Sequence, residues 1–319
     1  MNANEVALRG TTPNALSNNS GRPLGIIAGW GSFPVEVAER ARLAGREVYV
    51  AALKGHASEE LLEWATELRW VGVLKLGQQM KFFSRRGIEQ VVLAGKIFKD
   101  RILYHGMGWI AHLPDWTAYR VLGESFVTKQ RDGRDDTVLS AVVRAYQSKG
   151  VEVMAIQDIA PDLLVPEGLL SKGRLNRSQQ LDAKFAWSIA RQMGALDVGQ
   201  SITVQDQVVL GVEAIEGTDA LIKRTGQMCP RGGFTLVKIA KPEQDMRFDV
   251  PTIGTRTVEQ MLQAGGKSIV IEAGKTILVD REETIQLANR HGIRIIAMRD
   301  SQMTDEDPQD LVSPNLKAA

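Results

Sequence analysis

One cysteine, four histidines and a net charge of +1 among 319 residues remove several classes of function at the outset. A single thiol, Cys229, can build neither an intrachain disulfide framework nor a cysteine-based zinc cluster. His56, His105, His112 and His291 are scattered, and no pair stands at a helical metal-binding spacing. The near-neutral balance supplies no global field for nucleic acid or for an anionic membrane. No apolar run approaches the roughly 18 residues that cross a bilayer, and the first 22 residues lack an apolar signal core. Neither GxxxxGK[ST] nor GxSxG occurs, so a P-loop and a serine nucleophile elbow are both missing. The expected location is cytoplasmic, with peripheral contact at a membrane left open.

What is present is an ordinary globular composition, long enough for two cored domains. The first half alternates strand and helix signals: LGIIAG, PVEVAERARLAG, EVYVAAL, SEELLEWATELRW, WVGVL, GQQMKFFSRRG and EQVVLAG. That rhythm predicts a parallel sheet covered by helices. Helices are expected near Trp116–Val127 and 136–148, then a strand in EVMAIQD. The second half is richer in strands, with a hairpin turning near Asp206-Gln207 and a helix stopped by Gly292. The fold class expected is α/β: a flexible leader (1–22), a Rossmann-like parallel-sheet domain (23–160), a linker (161–180), a second α/β domain carrying the chemistry (181–300) and a disordered tail (301–319). A ligand cleft is expected between the domains.

Charge is concentrated between Glu216 and Asp249. Five carboxylates (Glu216, Asp219, Glu243, Asp245, Asp249) and six cations (Lys223, Arg224, Arg231, Lys238, Lys241, Arg247) stand there beside Gly and Pro turns. Cations hold phosphate oxygens, and carboxylates hold a hard metal or orient water, so the segment points to a phosphorylated substrate. In EGTDA, Gly217 permits an unusual turn, Thr218 can cap a helix, and Asp219 can ligate; a simple capping box is the competing reading. In RGGFTLVK, Arg231 and Gly232 form a glycine turn before Lys238. DMRFD alternates as a strand would, which puts Asp245, Arg247 and Asp249 on one face, as either an ion-pair ladder or a metal and phosphate site. In the first half, GWGSFP places Gly29 and Gly31 between a strand and a helix, a position suited to phosphate. Pro34 and the lack of a ribose-binding acid after the next strand argue against NAD. Lys96, just after another strand, is also well placed for a ligand; a solvated basic loop competes with that reading.

The segments LGIIAGWGSFP, VVLAGKIFK, LDVGQSITVQDQVVLGVEAIEGTDALIKR, GFTLVKIAKPEQDMRFDVPTIGTRTVEQM and AGGKSIVIEAGKTILVDRE follow in that order. Together they resemble the LpxI-type UDP-2,3-diacylglucosamine pyrophosphatases of lipid A biosynthesis. The resemblance runs from Leu24 to Met298 and excludes the leader and the acidic tail. It implies hydrolysis of the substrate's pyrophosphate to UMP and 2,3-diacylglucosamine 1-phosphate (lipid X), dependent on Mg²⁺ or Mn²⁺. It also implies an essential aspartate in QDMRFD, either Asp245 or Asp249. On this basis the expected catalytic residues are Asp245, Asp249, Arg247, Asp219 and Lys238, with Asp245, Asp249 and Asp219 as metal ligands. Gly29, Gly31, Lys96, Glu216, Gly217, Thr218, Arg231 and Gly232 are the expected substrate contacts.

The expected partners are the lipid-linked substrate and, transiently, the inner-membrane surface; no nucleic acid is expected, and a homo-oligomer is left open. Acyl chains need an apolar home, for which Met80, Phe82, Phe83, Ile97, Phe98, Ile102, Leu103, Tyr104, Met107 and Trp109 are candidates. The competing readings are a non-catalytic nucleotide or lipid-phosphate binding protein and a nucleotide-sugar enzyme of another reaction type.

Overall fold

The computed structural model describes residues 21–97, 112–127, 135–242 and 244–304. The chain divides into two compact units, Met1–Pro161 and Asp162–Ala319.

The first unit is built on a five-stranded sheet in the order β3-β2-β1-β4-β5, parallel throughout. Its strands are β1 (Leu24–Ala28), β2 (Val48–Leu53), β3 (Glu67–Val71), β4 (Gln90–Ala94) and β5 (Glu152–Val153). A central parallel strand is covered on both faces, which is why LGIIA is apolar or glycine at every position and wholly buried. The order reverses between β1 and β4, the place where open α/β sheets bind ligands. Here the two chains bridge directly: Trp30 N donates to Lys96 O at 2.8 Å, and Lys96 N donates to Trp30 O at 3.0 Å. Only glycine allows this approach. A Cβ at Gly29 would lie 2.7 Å from Lys96 O, and one at Gly95 (φ +89°) would lie 2.8 Å from Gly29 C and Trp30 O.

The second unit carries a mixed sheet in the order β6-β13-β11-β9-β7-β8, with a small parallel pair, β10 (Thr252–Ile253) and β12 (Ile277–Leu278). Its strands are β6 (Gly168–Leu169), β7 (Ser201–Gln205), β8 (Val208–Val212), β9 (Thr235–Lys238), β11 (Ser268–Glu272) and β13 (Arg294–Met298). β9, β11 and β13 run parallel, while β7 lies antiparallel to both β8 and β9. Period-two alternation sorts the side chains into two cores. Leu236, Ile269, Ile271 and Ile295 face one core with Leu221 and Ile222. Val237 and Val270 face the other with Trp187 and Ala186. The β7–β8 hairpin turns at Asp206 and Gln207, as expected, with both at positive φ (51° and 59°). Gly292 ends the helix Arg281–His291 in the left-handed conformation.

Three local expectations change. The helix expected over 58–70 is only Leu61–Trp64; Ala65 is already extended, and Glu67–Val71 is the edge strand β3. The strand expected in EVMAIQD is two residues long, and Ile156–Ile159 turns helical. DMRFD is a turn and not a strand: Phe248 N and Asp249 N both donate to Asp245 O, at 3.2 and 3.0 Å. Asp245 Oδ1 accepts from Arg247 N at 3.1 Å, and such a local bond competes with a sheet ladder. Residues 161–180, read from the sequence as a linker, carry β6 and the N-cap Asn176, and from Asp162 onward they belong to the second unit. Met80, Phe82 and Phe83 are packed in the first unit's core and Ile97 is exposed, whereas Phe98, Ile102, Leu103, Tyr104, Met107 and Trp109 lie outside the described residues.

Candidate functional site

At one edge of the second sheet β9 and β11 end, β7 begins and β8 ends. Lys238 is the last residue of β9 and pairs with Ser201, the first of β7. Alternation places Lys238 on the face of Leu236, the face covered by the helix Thr218–Met228. Its stem is therefore buried and its ammonium meets the start of that helix: Lys238 Nζ donates to Thr218 Oγ1 at 2.9 Å. Thr218 Oγ1 in turn donates to Glu213 Oε1 at 2.8 Å, and Ser201 Oγ stands 3.4 Å from the same hydroxyl.

Glu213 continues β8 by one residue, its N–H donating to Ser201 O at 2.8 Å. The neighbouring chain passes close by, since a Cβ at Gly199 would lie 2.1 Å from Glu213 O. Glu213 is buried, and its Oε2 has no hydrogen-bond partner among the described residues. A buried carboxylate that is only half satisfied costs stability.

The acidic turn hangs from the same edge through Gln244. Its Oε1 accepts from Lys241 N at 2.8 Å, and its Nε2 donates to Gln200 Oε1 at 3.1 Å and to Asp249 Oδ2 at 2.5 Å. Gln200 immediately precedes Ser201. Lys241 Nζ pairs with Asp197 at 2.6 Å. Asp245 and Arg247 form a two-pronged pair, with Arg247 Nε 2.9 Å and Nη2 2.5 Å from the carboxylate oxygens. The guanidinium holds the Asp245 carboxyl below its ordinary range, and the carboxylate raises Arg247 in return.

Other expected residues sit as follows. Asp219 pairs with Arg256 at 2.7 Å. Glu216 pairs with Arg224 at 2.7 Å, and its pKa is lowered by its own backbone amide and by that arginine. Gly217 is the helix N-cap at φ +80°. Thr218 does not act as a cap here, because its hydroxyl turns to Glu213. Arg231 and Gly232 precede β9 and so lie at the opposite edge of the sheet from Lys238. There Gly232 passes the Gly265 carbonyl, which a Cβ would approach to 2.5 Å. Gly29 and Lys96 belong to the first unit, at the glycine bridge described above, and Gly31 follows it at φ +106° with open space around it. Glu213, Ser201 and Gln244 were not singled out by sequence. Ser201 and Glu213 offered only a polar residue flanking an apolar strand run, and Gln244 offered no such signal.

Among the described residues no three His, Cys, Asp or Glu side chains converge as a metal cage. Asp245 and Asp249 share one turn, and Asp219 is paired with Arg256 at the head of the helix Thr255–Gln263. Each of these carboxylates is already engaged, Asp245 by Arg247, Asp249 by Gln244 and Asp219 by Arg256.

Two family models match the chain: the LpxI N-terminal domain over residues 23–163 and the LpxI C-terminal domain over residues 166–296. The UDP-2,3-diacylglucosamine pyrophosphatase LpxI of Caulobacter vibrioides is 32% identical over 296 residues, which covers 91% of this chain and 99% of that protein.

Proposed function

The chain belongs to the LpxI family, and we propose that it hydrolyses the pyrophosphate bond of UDP-2,3-diacylglucosamine, releasing UMP and 2,3-diacylglucosamine 1-phosphate. The observation that carries this reading is similarity over 91% of the chain, at 32% identity, to a relative named for that activity.

The chemistry adds water across a phosphoanhydride. The water oxygen bonds to the sugar-side phosphorus, the bridging oxygen leaves with UMP, and the two products share the water's protons. Negative charge develops on phosphoryl and bridging oxygens, so fixed positive groups in a sheltered site lower the barrier most. Lys238 and the helix start at Thr218 supply positive potential at the sheet edge. Glu213 holds the Thr218 hydroxyl in place, and its second oxygen can take a proton from water. Arg247, oriented by Asp245, is the further cation on the turn. Asp245, Asp249 and Asp219 are the residues that would hold Mg²⁺ or Mn²⁺, which would neutralise charge on the phosphates.

A substrate with two acyl chains resides in a membrane, so the enzyme would work in the cytoplasm and meet the inner-membrane surface transiently. No helix among the described residues is long and apolar enough to cross a membrane. The deciding assay is UMP release from UDP-2,3-diacylglucosamine with Mg²⁺ and with a chelator. Release that the chelator abolishes supports both the reaction and the metal. Release that the chelator leaves intact removes the metal from the proposal, and no release from a folded, Mg²⁺-supplemented protein removes the reaction.

A further inference from the structure

The opposite edge of the same sheet, where β9, β11 and β13 begin, holds a cavity of about 530 Å³. Three cationic or titratable side chains line one wall: Lys267 just before β11, Arg294 at the start of β13, and His291 at the end of the helix Arg281–His291. Lys267 and Arg294 are held side by side, since Arg294 N donates to Lys267 O at 3.0 Å. None of the three side chains makes a hydrogen bond or ion pair among the described residues. The far edge of the sheet differs, for there Lys241, Lys275, Arg191 and Arg247 each have a carboxylate partner. Two adjacent unpaired cations repel, and an anion between them would relieve that cost.

The facing wall is polar and carries two carboxylates, each held by a neutral hydrogen-bond donor. Asp182 is buried and accepts from Gln207 N at 2.6 Å, and Asp206 accepts from Ser178 Oγ at 3.0 Å. Both acids are thus committed to the hairpin and to the first turn of the helix Arg177–Ala195. Gln179 is different. It is only 5% exposed, and its Oε1 accepts from Asn176 N at 3.0 Å. Its Nε2 donor has no partner among the described residues and lines the cavity. An unpaired amide donor on the cavity wall opposite two unpaired cations is a set of contacts lacking an acceptor-rich ligand.

We propose that this cavity is a second ligand site that takes a phosphate monoester, with Lys267 and Arg294 on the phosphate oxygens, His291 at the rim and Gln179 Nε2 donating to a further oxygen. A volume of about 530 Å³ admits a small phosphorylated molecule. The group could belong to a soluble metabolite or to a lipid headgroup. The site lies at the far edge of the sheet from Lys238 and is independent of the proposed hydrolysis.

The test is calorimetric titration of the full chain with inorganic phosphate in the absence of divalent metal. Alongside it runs flotation with phosphatidylcholine vesicles, with and without phosphatidic acid. Phosphate should bind the wild type. The affinity should fall by at least about ten-fold in Lys267→Ala/Arg294→Ala. Gln179→Glu guards against misfolding, because glutamate serves a capping box as well as glutamine does. It should keep the thermal midpoint and still weaken phosphate. Phosphatidic-acid-dependent flotation that the double variant loses would assign a lipid headgroup, and phosphate binding without flotation would assign a soluble ligand. If the wild type binds neither probe, or if both variants bind like the wild type, the site does not exist. UMP release, read separately, should be unaffected by Lys267→Ala/Arg294→Ala.

Discussion

At the strand-order reversal of the first unit the close contacts are between backbones, whereas at one edge of the second unit's sheet they are between polar and charged side chains. Gly29 and Gly95 let β1 and β4 bridge through Trp30 and Lys96, with no room for a Cβ at either glycine. In the second unit, Lys238, Thr218, Glu213 and Ser201 meet through side-chain atoms at 2.8 to 3.4 Å. The first edge is a matter of shape and the second a matter of charge. Mutations should therefore separate cleanly: those at the glycines should register mainly in stability, and those in the charged cluster mainly in rate.

The largest effect should come from the acidic turn. Asp245→Asn and Asp249→Asn each change an oxygen to an amide with little change in volume. At least one should lower kcat for UMP release by about a thousand-fold, on the order of 4 kcal/mol of transition-state stabilisation. Near-wild-type rates in both, with unchanged circular dichroism, would remove the turn from the chemistry. Next comes Gly95→Ala. Its Cβ would meet backbone and Pro34 atoms at 2.8 Å in a left-handed conformation. A loss of about 3 kcal/mol in chemical denaturation is expected. A loss no larger than that of an ordinary surface substitution would mean the bridge is not tight, and the contrast between the two edges would fail.

Much of the fold was legible because local physics decides it. LGIIA can only be a strand covered on both faces, Gly292 supplies a left-handed helix stop, and Asp206-Gln207 sits where an antiparallel pair must turn. DMRFD misled because alternation of charge without an apolar face does not fix a strand, and the Asp245 side chain bonds its own backbone neighbour. The site was legible in part. Thr218 and Lys238 stood out by type and context. Glu213 and Ser201 gain meaning only when β7 pairs with both β8 and β9, which brings positions 201, 213, 218 and 238 together. Arg231 had the right chemistry in a promising glycine turn, yet the length of β9 sets it at the other end from Lys238.

Glu213→Gln separates charge from shape within the cluster. The amide can still accept from Thr218 and fills the same space, but it cannot take a proton. The expected fall in kcat is about 10- to 100-fold. Stability at neutral pH should hold or rise, because a half-satisfied buried carboxylate has been replaced by a neutral group. A variant that lost stability and kept its rate would show the carboxylate to be structural.

The smallest effect belongs to the Asp245–Arg247 pair. The arginine lowers the Asp245 pKa, so the folded state holds the ionised form more strongly than the unfolded chain does. The stability this contributes is fully present above the ordinary aspartate pKa of about 3.9 and is lost as pH falls through the lower folded value. The pair is partly exposed, its carboxylate and guanidinium retaining 28% and 33% of their accessible surface. Screening by solvent therefore keeps its contribution below about 1 kcal/mol. The stability difference between wild type and Asp245→Asn should thus stay flat from about pH 5 to 8 and shrink only at more acid pH. The acid limb of the UMP-release profile should fall above the Asp245 titration and belong to another group. If that limb instead follows the Asp245 carboxyl signal in an NMR titration, protonation of Asp245 itself stops the reaction, and the turn has to be assigned a base as well as a metal donor.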